Sequence, residues 1–186
     1  MALGKVVQNR MVNAHQYCLS SGATEDKETS MSAKVTIRGA NMSDLPNVIT
    51  LWQEHQEYHF QCDPYFERSR DANPGFLEYL QDNLENIGLF VAEIEKQLVG
   101  FVLAETARRP PCFASRDYGM IDDLAVTADW RGKGIGQQLL AQGMIWFAEK
   151  GIRRIETRVL NSNPLSSKFW QKAGFEPYIS CVYKAN

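Results

Sequence analysis

The sequence lacks any long apolar run. No stretch approaches the roughly 20 consecutive apolar residues that a membrane-spanning helix needs. Near the amino terminus only Val6-Val7 follows Lys5, which is too short for the apolar core of a signal peptide. We therefore expect no membrane partner and no secretion.

Cysteine is scarce and scattered. The four cysteines, at positions 18, 62, 112 and 181, include no Cys-x-x-Cys pair. Structural zinc sites and disulfide frameworks depend on closely spaced or paired cysteines. We therefore expect no metal and no disulfide framework, and a reducing, cytoplasmic location fits the sequence best.

An excess of positive charge is also absent. The 186 residues contain 20 Lys and Arg against 22 Asp and Glu, a formal net charge of −2. Proteins that hold nucleic acid or an anionic membrane by electrostatics carry a basic surface. We expect neither partner, so any anionic ligand must be bound by local groups.

The composition is that of a globular domain. Hydrophobic residues make up 44% and charged residues 23% of the chain, which are ordinary values, and the length suits one domain. Residues 1–33 differ, because the polar stretch 20–30 shows no apolar period. We interpret residues 1–33 as an arm or linker and residues 34–186 as the folded domain.

The period of the apolar residues predicts the elements of that domain. We expect Ser43 to cap a first helix, whose apolar stripe includes Leu45, Val48 and Trp52. Apolar runs on either side of Glu95-Lys96-Gln97 predict a β-hairpin. The expected strands are 35–38, 89–94, 98–104, 119–126 and 154–160, with closing strands at 175 and 179–183, and the later helices are 74–83, one ending at 150 and one starting at 164.

A glycine-rich turn, Arg131-Gly-Lys-Gly-Ile-Gly136, connects a strand to a helix. Glycine lets the backbone approach a ligand closely, and amides at a helix N-terminus attract anions. The turn therefore predicts a phosphate or pyrophosphate site, although taken alone it is equally compatible with a tight connection. It is not a Walker loop, since Gly134 follows Lys133, nor a dinucleotide fingerprint, since position 139 is leucine.

The spaced motifs together resemble the GNAT superfamily of acyl-CoA-dependent N-acyltransferases. The family's Arg/Gln-x-x-Gly-x-Gly/Ala motif stands here at 131–136, preceded by the strand 121–126 and followed by Asn163 and the segment Lys168–Phe175. The resemblance covers about residues 35–184. It implies one α/β (α+β) domain with a mixed central sheet of about six to seven strands, flanked by helices, whose splayed central strands hold acyl-CoA.

The resemblance also implies where acetyl-CoA binds. Its pyrophosphate would contact the amides of the glycine turn, with local attraction from Arg131 and Lys133, and its pantetheine arm would pair with the preceding strand. Asn163 has a second interpretation as a helix cap. The implied cofactor-binding residues are Leu124, Ala125, Val126, Arg131, Gly132, Lys133, Gly134, Ile135, Gly136, Gln137 and Asn163.

Transfer to an amine needs a base, because a primary amine is mostly ammonium at neutral pH. Asp122 and Asp123 lie on the central strand, but neighbouring strand residues face opposite sides unless a bulge intervenes. This stretch is similar to polyamine acetyltransferases, in which the first acid is the proposed base and its neighbour helps hold the cationic substrate. By this resemblance we expect Asp122 to be the base and Asp123 to help hold the cationic substrate. The alternative is that one aspartate caps a backbone group or pairs with an arginine.

One departure from the family concerns the leaving thiolate. Trp170 stands where a tyrosine often serves as the general acid, and an indole N–H is not a usable acid. Tyr183 is our catalytic candidate in its place, with Tyr178 and water as alternatives.

The substrate-binding candidates are His59, Asp63 and Trp170. His55 and His59 have the four-residue spacing of a helical metal pair, but no third ligand is evident. We favour substrate lining for His59, against the alternative of a hydrogen-bonded core histidine.

These observations predict an N-acetyltransferase that moves an acetyl group from acetyl-CoA to a primary amine of a small molecule, of polyamine, amino-sugar or amino-acid type. No cysteine has an evident basic partner by spacing, so we expect direct attack in a ternary complex. A protein acetyltransferase and a non-catalytic acyl-CoA sensor stay open as alternatives. The sequence is compatible with a homodimer.

Overall fold

Five strands form one sheet in the computed structural model, which describes residues 34–184. The predicted arm, residues 1–33, lies outside the described residues. The strands are β1 (Thr36–Gly39), β2 (Gly88–Ile94), β3 (Gln97–Arg108), β4 (Asp117–Val126) and β5 (Ile155–Thr157). The helices are α1 (Leu45–Cys62), α2 (Ala72–Asn83), α3 (Ile135–Glu149) and α4 (Pro164–Lys172), with short 3-10 turns at Met42–Asp44, Pro64–Phe66 and Ala128–Trp130.

The sheet is a meander followed by one crossover. Strands β1 to β4 pair antiparallel with their neighbours in sequence, and β5 pairs parallel with β4 at the edge. Parallel strands need a crossover connection, which α3 provides here. The predicted class, a mixed sheet flanked by helices, is therefore confirmed, but residues 34–184 form five strands instead of about six to seven.

The closing strands predicted at 175 and 179–183 do not form. Pro177 has no N–H to donate to a strand ladder, and the side chains that follow reach no sheet face, since Ile179 is 70% and Val182 is 93% exposed. A side chain holds this segment instead, because the Tyr178 hydroxyl donates to the buried carboxylate of Glu156 on β5.

The core lies on both faces of the sheet. Alternate residues of β3 face opposite sides: Val102 packs in the cluster with α3, whereas Phe101 packs in the cluster with α1 and α2. The helical side chains buried in these clusters are Ile135, Leu139, Leu140, Phe147 and Trp170 on one face and Leu45, Val48, Leu51 and Leu80 on the other. Within residues 34–184, none of the helices combines the length and apolarity needed to cross a bilayer.

Local sequence sets several element ends. Glu95 and Lys96 have positive φ angles of 49° and 67° and form the predicted hairpin turn. The start of the first helix differs from the prediction, because Asn41 and not Ser43 is the cap. The Asn41 side chain accepts from the Ser43 amide at 2.9 Å, and Asp44 accepts from the Asn41 amide at 2.8 Å. This reciprocal capping box precedes a 3-10 turn that leads into α1.

The packing of α3 on the sheet can be tested at Gly119. A Cβ there would overlap the aromatic ring of the fully buried Phe147. We expect Gly119→Ala to lower the free energy of unfolding by about 1–3 kcal/mol, because overpacking displaces side chains and backbone. Gly39→Ala is the control, since a Cβ at that position meets nothing within 4 Å. Urea unfolding measures both variants, and a wild-type midpoint for Gly119→Ala would contradict the packing.

Candidate active site

A cleft opens where β4 and β5 separate. The two strands pair only at Gly119 with Ile155, Met120 with Glu156 and Ile121 with Thr157. The Thr157 hydroxyl donates to the Ile121 carbonyl at 3.0 Å and closes the paired part. β4 continues to Val126 without a β5 partner in the described residues. The predicted splay of the central strands is therefore present.

A β-bulge lies at the start of this splayed segment. Opposite β4, Leu103 of β3 pairs with Asp123 and the next residue, Ala104, pairs with Ile121. Asp122 is thus the extra residue. A bulge breaks the alternation of side chains, so Asp122 and Asp123 come to the same region. There the Glu105 carboxylate raises the pKa of Asp122, and both Asp122 and Glu105 raise the pKa of Asp123.

Asp123 is the buried member of the pair, with 11% of its side chain exposed. From α1, Gln56 Nε2 donates to its Oδ1 at 3.3 Å, and His55 Nε2 lies 3.5 Å from the same oxygen. Burial, followed by repulsion from Asp122, raises the pKa of Asp123 to about 7, and the indole of Trp52 opposes this shift. Asp123 is therefore a carboxyl group that titrates near neutral pH.

Asp122 is exposed at the surface of the cleft. The surrounding protein still displaces part of its water, and this desolvation together with the Glu105 carboxylate raises the pKa of Asp122 to about 6. Glu105 accepts a hydrogen bond from the Tyr79 hydroxyl of α2. Burial and this bond raise the pKa of Tyr79, so the phenol stays protonated. The cleft thus gathers three carboxyl groups.

The glycine turn presents free amides. Gly132 and Gly134 have φ angles of 76° and 80°, which favour glycine, and α3 begins at the next residue, Ile135. No backbone carbonyl among residues 34–184 accepts from the amides of 132–134, and the first amides of a helix have no partner inside it. Such amides suit an anion, which agrees with the predicted phosphate site.

A cavity of about 350 Å³ lies between this turn, the end of β4 and α4. The Arg131 guanidinium borders it and donates from Nε to the Val126 carbonyl at 2.8 Å. The cavity is lined by the predicted residues Leu124, Ala125, Val126, Arg131, Gly132, Gly134, Ile135, Gly136, Gln137, Asn163 and Trp170. Lys133 is not among its lining residues, and its ammonium lies 4.2 Å from the ring centroid of Trp130. The geometry therefore brings together most of the residues that the sequence suggested.

Two lining residues also have clear structural roles. Asn163 is 3% exposed, and its Oδ1 accepts from the Ser166 amide at 2.9 Å, so it caps α4. Trp170 is 7% exposed and packs edge to face against Phe169 and Phe175, with ring centroids at 5.1 and 4.9 Å. Any contact of these residues with a ligand is additional to these roles.

The other predicted residues lie apart from the cavity. Tyr183 is 88% exposed, in a segment with no strand to orient it, and does not line the cavity. Asp63 accepts from the Tyr65 amide at 3.0 Å and caps a 3-10 turn. His59 is half-buried, and its ring centroid lies 4.3 Å from that of His55. Their roles in catalysis or substrate binding stay predictions.

The sequence reasoning missed several residues of the site. His55 and Tyr58 of α1 line the cavity, as do Trp130 and four side chains of α4, namely Leu165, Ser166, Phe169 and Lys172. The spacing of His55 and His59 was the available signal, because residues four apart lie on one face of a helix. In the part of the chain described, no three His, Cys, Asp or Glu side chains come together as a metal-binding group.

The sequence model of the acetyltransferase (GNAT) family matches residues 48–175. The chain belongs to this family. The matched region contains the bulged strand, the glycine turn and the capped helix α4, and all the residues that line the cavity lie within it.

Two curated relatives are uncharacterised N-acetyltransferases. One, from Archaeoglobus fulgidus, is 29% identical over 134 residues, which are 72% of this chain and 88% of that protein. The other, from Methanocaldococcus jannaschii, is 26% identical over 141 residues, which are 76% of this chain but only 60% of that relative's length.

Among solved structures, the aminoglycoside N-acetyltransferase AAC(6')-Iy, in complex with CoA, has a TM-score of 0.66 at 21% identity. The alignment covers 84% of this chain and 97% of that one. At this identity the comparison establishes a shared GNAT fold.

Burial of Asp123 makes stability depend on pH. Its pKa is about 7 in the folded protein, against an ordinary 3.8. The folded state therefore keeps a proton that the unfolded chain releases, and this contribution to stability is lost as the pH rises through about 4 to 7. Asparagine does not titrate, so Asp123→Asn should not lose stability in this way. We expect its free energy of unfolding, relative to that of the unsubstituted protein, to rise by about 2 kcal/mol between pH 5 and pH 8.

Chemical denaturation at the two pH values measures this gain. Asp129→Asn, at an exposed position of a 3-10 turn, is the control and should show none. A difference between Asp123→Asn and the unsubstituted protein that stays constant with pH would contradict the assignment.

Proposed function

We propose that this protein is an N-acetyltransferase that moves an acetyl group from acetyl-CoA to the primary amine of a small molecule. The observation that carries the proposal is the bulge at Asp122, which gathers two carboxylates directly before β4 becomes the cavity wall at Leu124–Val126. A base and an acyl-donor site on one strand suit direct transfer, because the reacting groups must be held in alignment. Membership of the GNAT family supports the same reaction.

The cavity suits an acyl-CoA molecule. Its phosphates would bind the free amides of the glycine turn and of the start of α3, where N–H groups and the helix dipole attract anions without a basic surface. Its pantetheine arm would pair with the backbone of Leu124–Val126, the part of β4 that β5 leaves uncovered. We assign Arg131 and Asn163 to the rim of this site because both line the cavity.

Asp122 is the proposed base. It is exposed to the cleft and its pKa of about 6 lies close to neutral pH, where a general base is most effective. Acetyl-CoA supplies an activated acyl carbon. Asp122 accepts one proton of the acceptor ammonium, and the freed amine nitrogen bonds to that carbon as the carbon–sulfur bond breaks. The nitrogen then releases a second proton to water, which leaves a neutral amide.

The leaving thiolate then needs a proton. Trp170 offers no acidic group at the usual position, and Tyr183 lies at an exposed site away from the cavity lining. We assign this proton to water. Cys62, Cys112 and Cys181 do not line the cavity, which favours direct attack in a ternary complex over an acetylated cysteine.

The charge of the cleft favours a cationic acceptor. The Glu105 carboxylate raises the pKa of both Asp122 and Asp123, and Asp122 raises that of Asp123, so the three groups lie close enough to attract an ammonium group together. We therefore propose a small molecule of polyamine, amino-sugar or amino-acid type. The fold shared with an aminoglycoside N-acetyltransferase is consistent with this class.

Binding of acetyl-CoA is the first expected result. At 100 times its Kd, the ligand adds about 2.7 kcal/mol to stability and raises the Tm. Gly134→Val should abolish most of this rise, because valine is strained at a φ of 80° and displaces the turn amides. Gly75→Ala in α2, where a Cβ meets nothing within 4 Å, should keep it.

A panel of amines with acetyl-CoA, monitored by release of free thiol, then tests transfer. A cationic small amine should give turnover that depends on both substrates. A Tm rise without turnover on any amine would favour an acyl-CoA sensor, and no Tm rise at all would refute acyl-CoA binding.

Replacing the base should affect turnover more than binding. We expect Asp122→Asn to lower kcat at neutral pH by about a hundred- to ten-thousand-fold, the usual contribution of a general base, with partial recovery at high pH where free amine is available. The Tm rise with acetyl-CoA should persist. Asp117→Asn, at an exposed position of the same strand, is the matched control. Parent-like turnover of Asp122→Asn would move the base to another residue.

A further inference from the structure

His55 occupies the junction between the carboxylate pair and the acyl-CoA cavity. It lies on α1 with 18% of its side chain exposed, lines the cavity, and places Nε2 3.5 Å from Asp123 Oδ1. Gln56, the next residue of the helix, donates to the same oxygen at 3.3 Å. Two neighbouring side chains of α1 therefore approach one oxygen of Asp123 and restrain the rotation of its carboxyl group.

The imidazole of His55 stays neutral under ordinary conditions. Burial, then the nearby His59 and Arg131, lower its pKa to about 3. A neutral imidazole has one N–H to donate and carries no charge. It can orient the carboxylate without forming an ion pair.

We propose that His55 is a positioning residue for Asp123, donating from Nε2 to Oδ1 so that the carboxyl group is held toward the acceptor amine during transfer. This role rests on the proposed acetyltransferase activity. The 3.5 Å separation is longer than a good hydrogen bond, and such contacts in catalytic sites often tighten only when the substrates are bound.

The chemistry explains why a neutral donor suits this position. A lysine or arginine there would form an ion pair and keep Asp123 ionised well below neutral pH. An apolar residue would leave one carboxylate oxygen with a single donor from α1. Histidine supplies a hydrogen bond while Asp123 still titrates near neutral pH, where it can respond to the acceptor ammonium.

The electrostatic effect of replacing His55 depends on the charged groups near it. The titratable and charged groups nearest His55 come from α1, β4 and the glycine turn, and they are Tyr58, His59, Asp123 and Arg131. Asp122 of β4 and Glu105 of β3 act on Asp123, and Tyr79 of α2 donates to Glu105. Because His55 is neutral, an uncharged replacement leaves the net charge of this group constant at neutral pH. A change in the titration of Asp123 in such a variant then reports the loss of the hydrogen bond from His55.

Three variants separate positioning from packing. In His55→Leu the donor is lost, in His55→Gln an amide donor replaces it, and in Thr50→Val an exposed hydroxyl that bonds only to the Pro46 carbonyl of its own helix is removed. The pH profiles of kcat and kcat/KM are measured with acetyl-CoA and the best amine of the panel.

We expect His55→Leu to lower kcat about ten- to a hundred-fold and to move the acidic limb of the profile up by about one pH unit, because a lost donor to the carboxylate disfavours its charged form. The KM for acetyl-CoA should change less than threefold. His55→Gln should have most of the parent's kcat, and the acidic limb of its pH profile should lie where the parent's does. Thr50→Val should match the parent in both. A parent-like profile for His55→Leu, or a His55→Gln variant as impaired as His55→Leu, would overturn the proposal.

A measurement on the unsubstituted protein does not depend on any variant folding or on turnover. The ¹⁵N chemical shifts of the His55 ring should show a protonated Nε2 from pH 5 to pH 9, and an unprotonated Nε2 would overturn the proposal. Carboxyl ¹³C titration of Asp123 should move to higher pH in His55→Leu and not in His55→Gln. If no amine is a substrate, the proposed activity fails, whereas these spectra still decide whether His55 donates to Asp123.

Discussion

One extra residue in β4 determines how the site is arranged. Without Asp122 in the bulge, strict alternation would send the two aspartates to opposite faces of the sheet. The bulge follows directly after the last residue that pairs with β5. The same few residues therefore open the cleft, expose the backbone of Leu124–Val126 and gather the carboxylates.

The helices on the two faces support this strand in different ways. α3 fixes it from one side, with Phe147 against Gly119, and begins at the glycine turn. α1 packs its apolar residues on the other side and also provides Gln56 and His55 to the carboxyl group of Asp123. Burying an ionisable group is unfavourable, and the well-packed core on both faces keeps it in place.

Much of the fold could be predicted from the sequence, because it depends on interactions between residues that are close along the chain. The hairpin at Glu95-Lys96, the cap at Asn163 and the glycine turn each depend on residues within a few positions, and each is present. The family match confirms the resemblance that these motifs suggested. The position of the bulge, the contact between α1 and Asp123, and the unpaired segment after Pro177 depend on partners distant in sequence, which one sequence does not reveal.

The free amides of the glycine turn also bear on ionic strength. The two basic side chains of the turn already have partners at the edge of the cavity, because Arg131 donates to the Val126 carbonyl and the Lys133 ammonium lies over the Trp130 ring. A phosphate group seated on backbone N–H groups is held by short, directional contacts rather than by a diffuse basic field, and mobile ions screen such contacts weakly. Affinity for an acyl-CoA would then vary little between dilute buffer and the salt concentration inside a cell, in contrast to proteins that gather polyanions with lysine-rich surfaces.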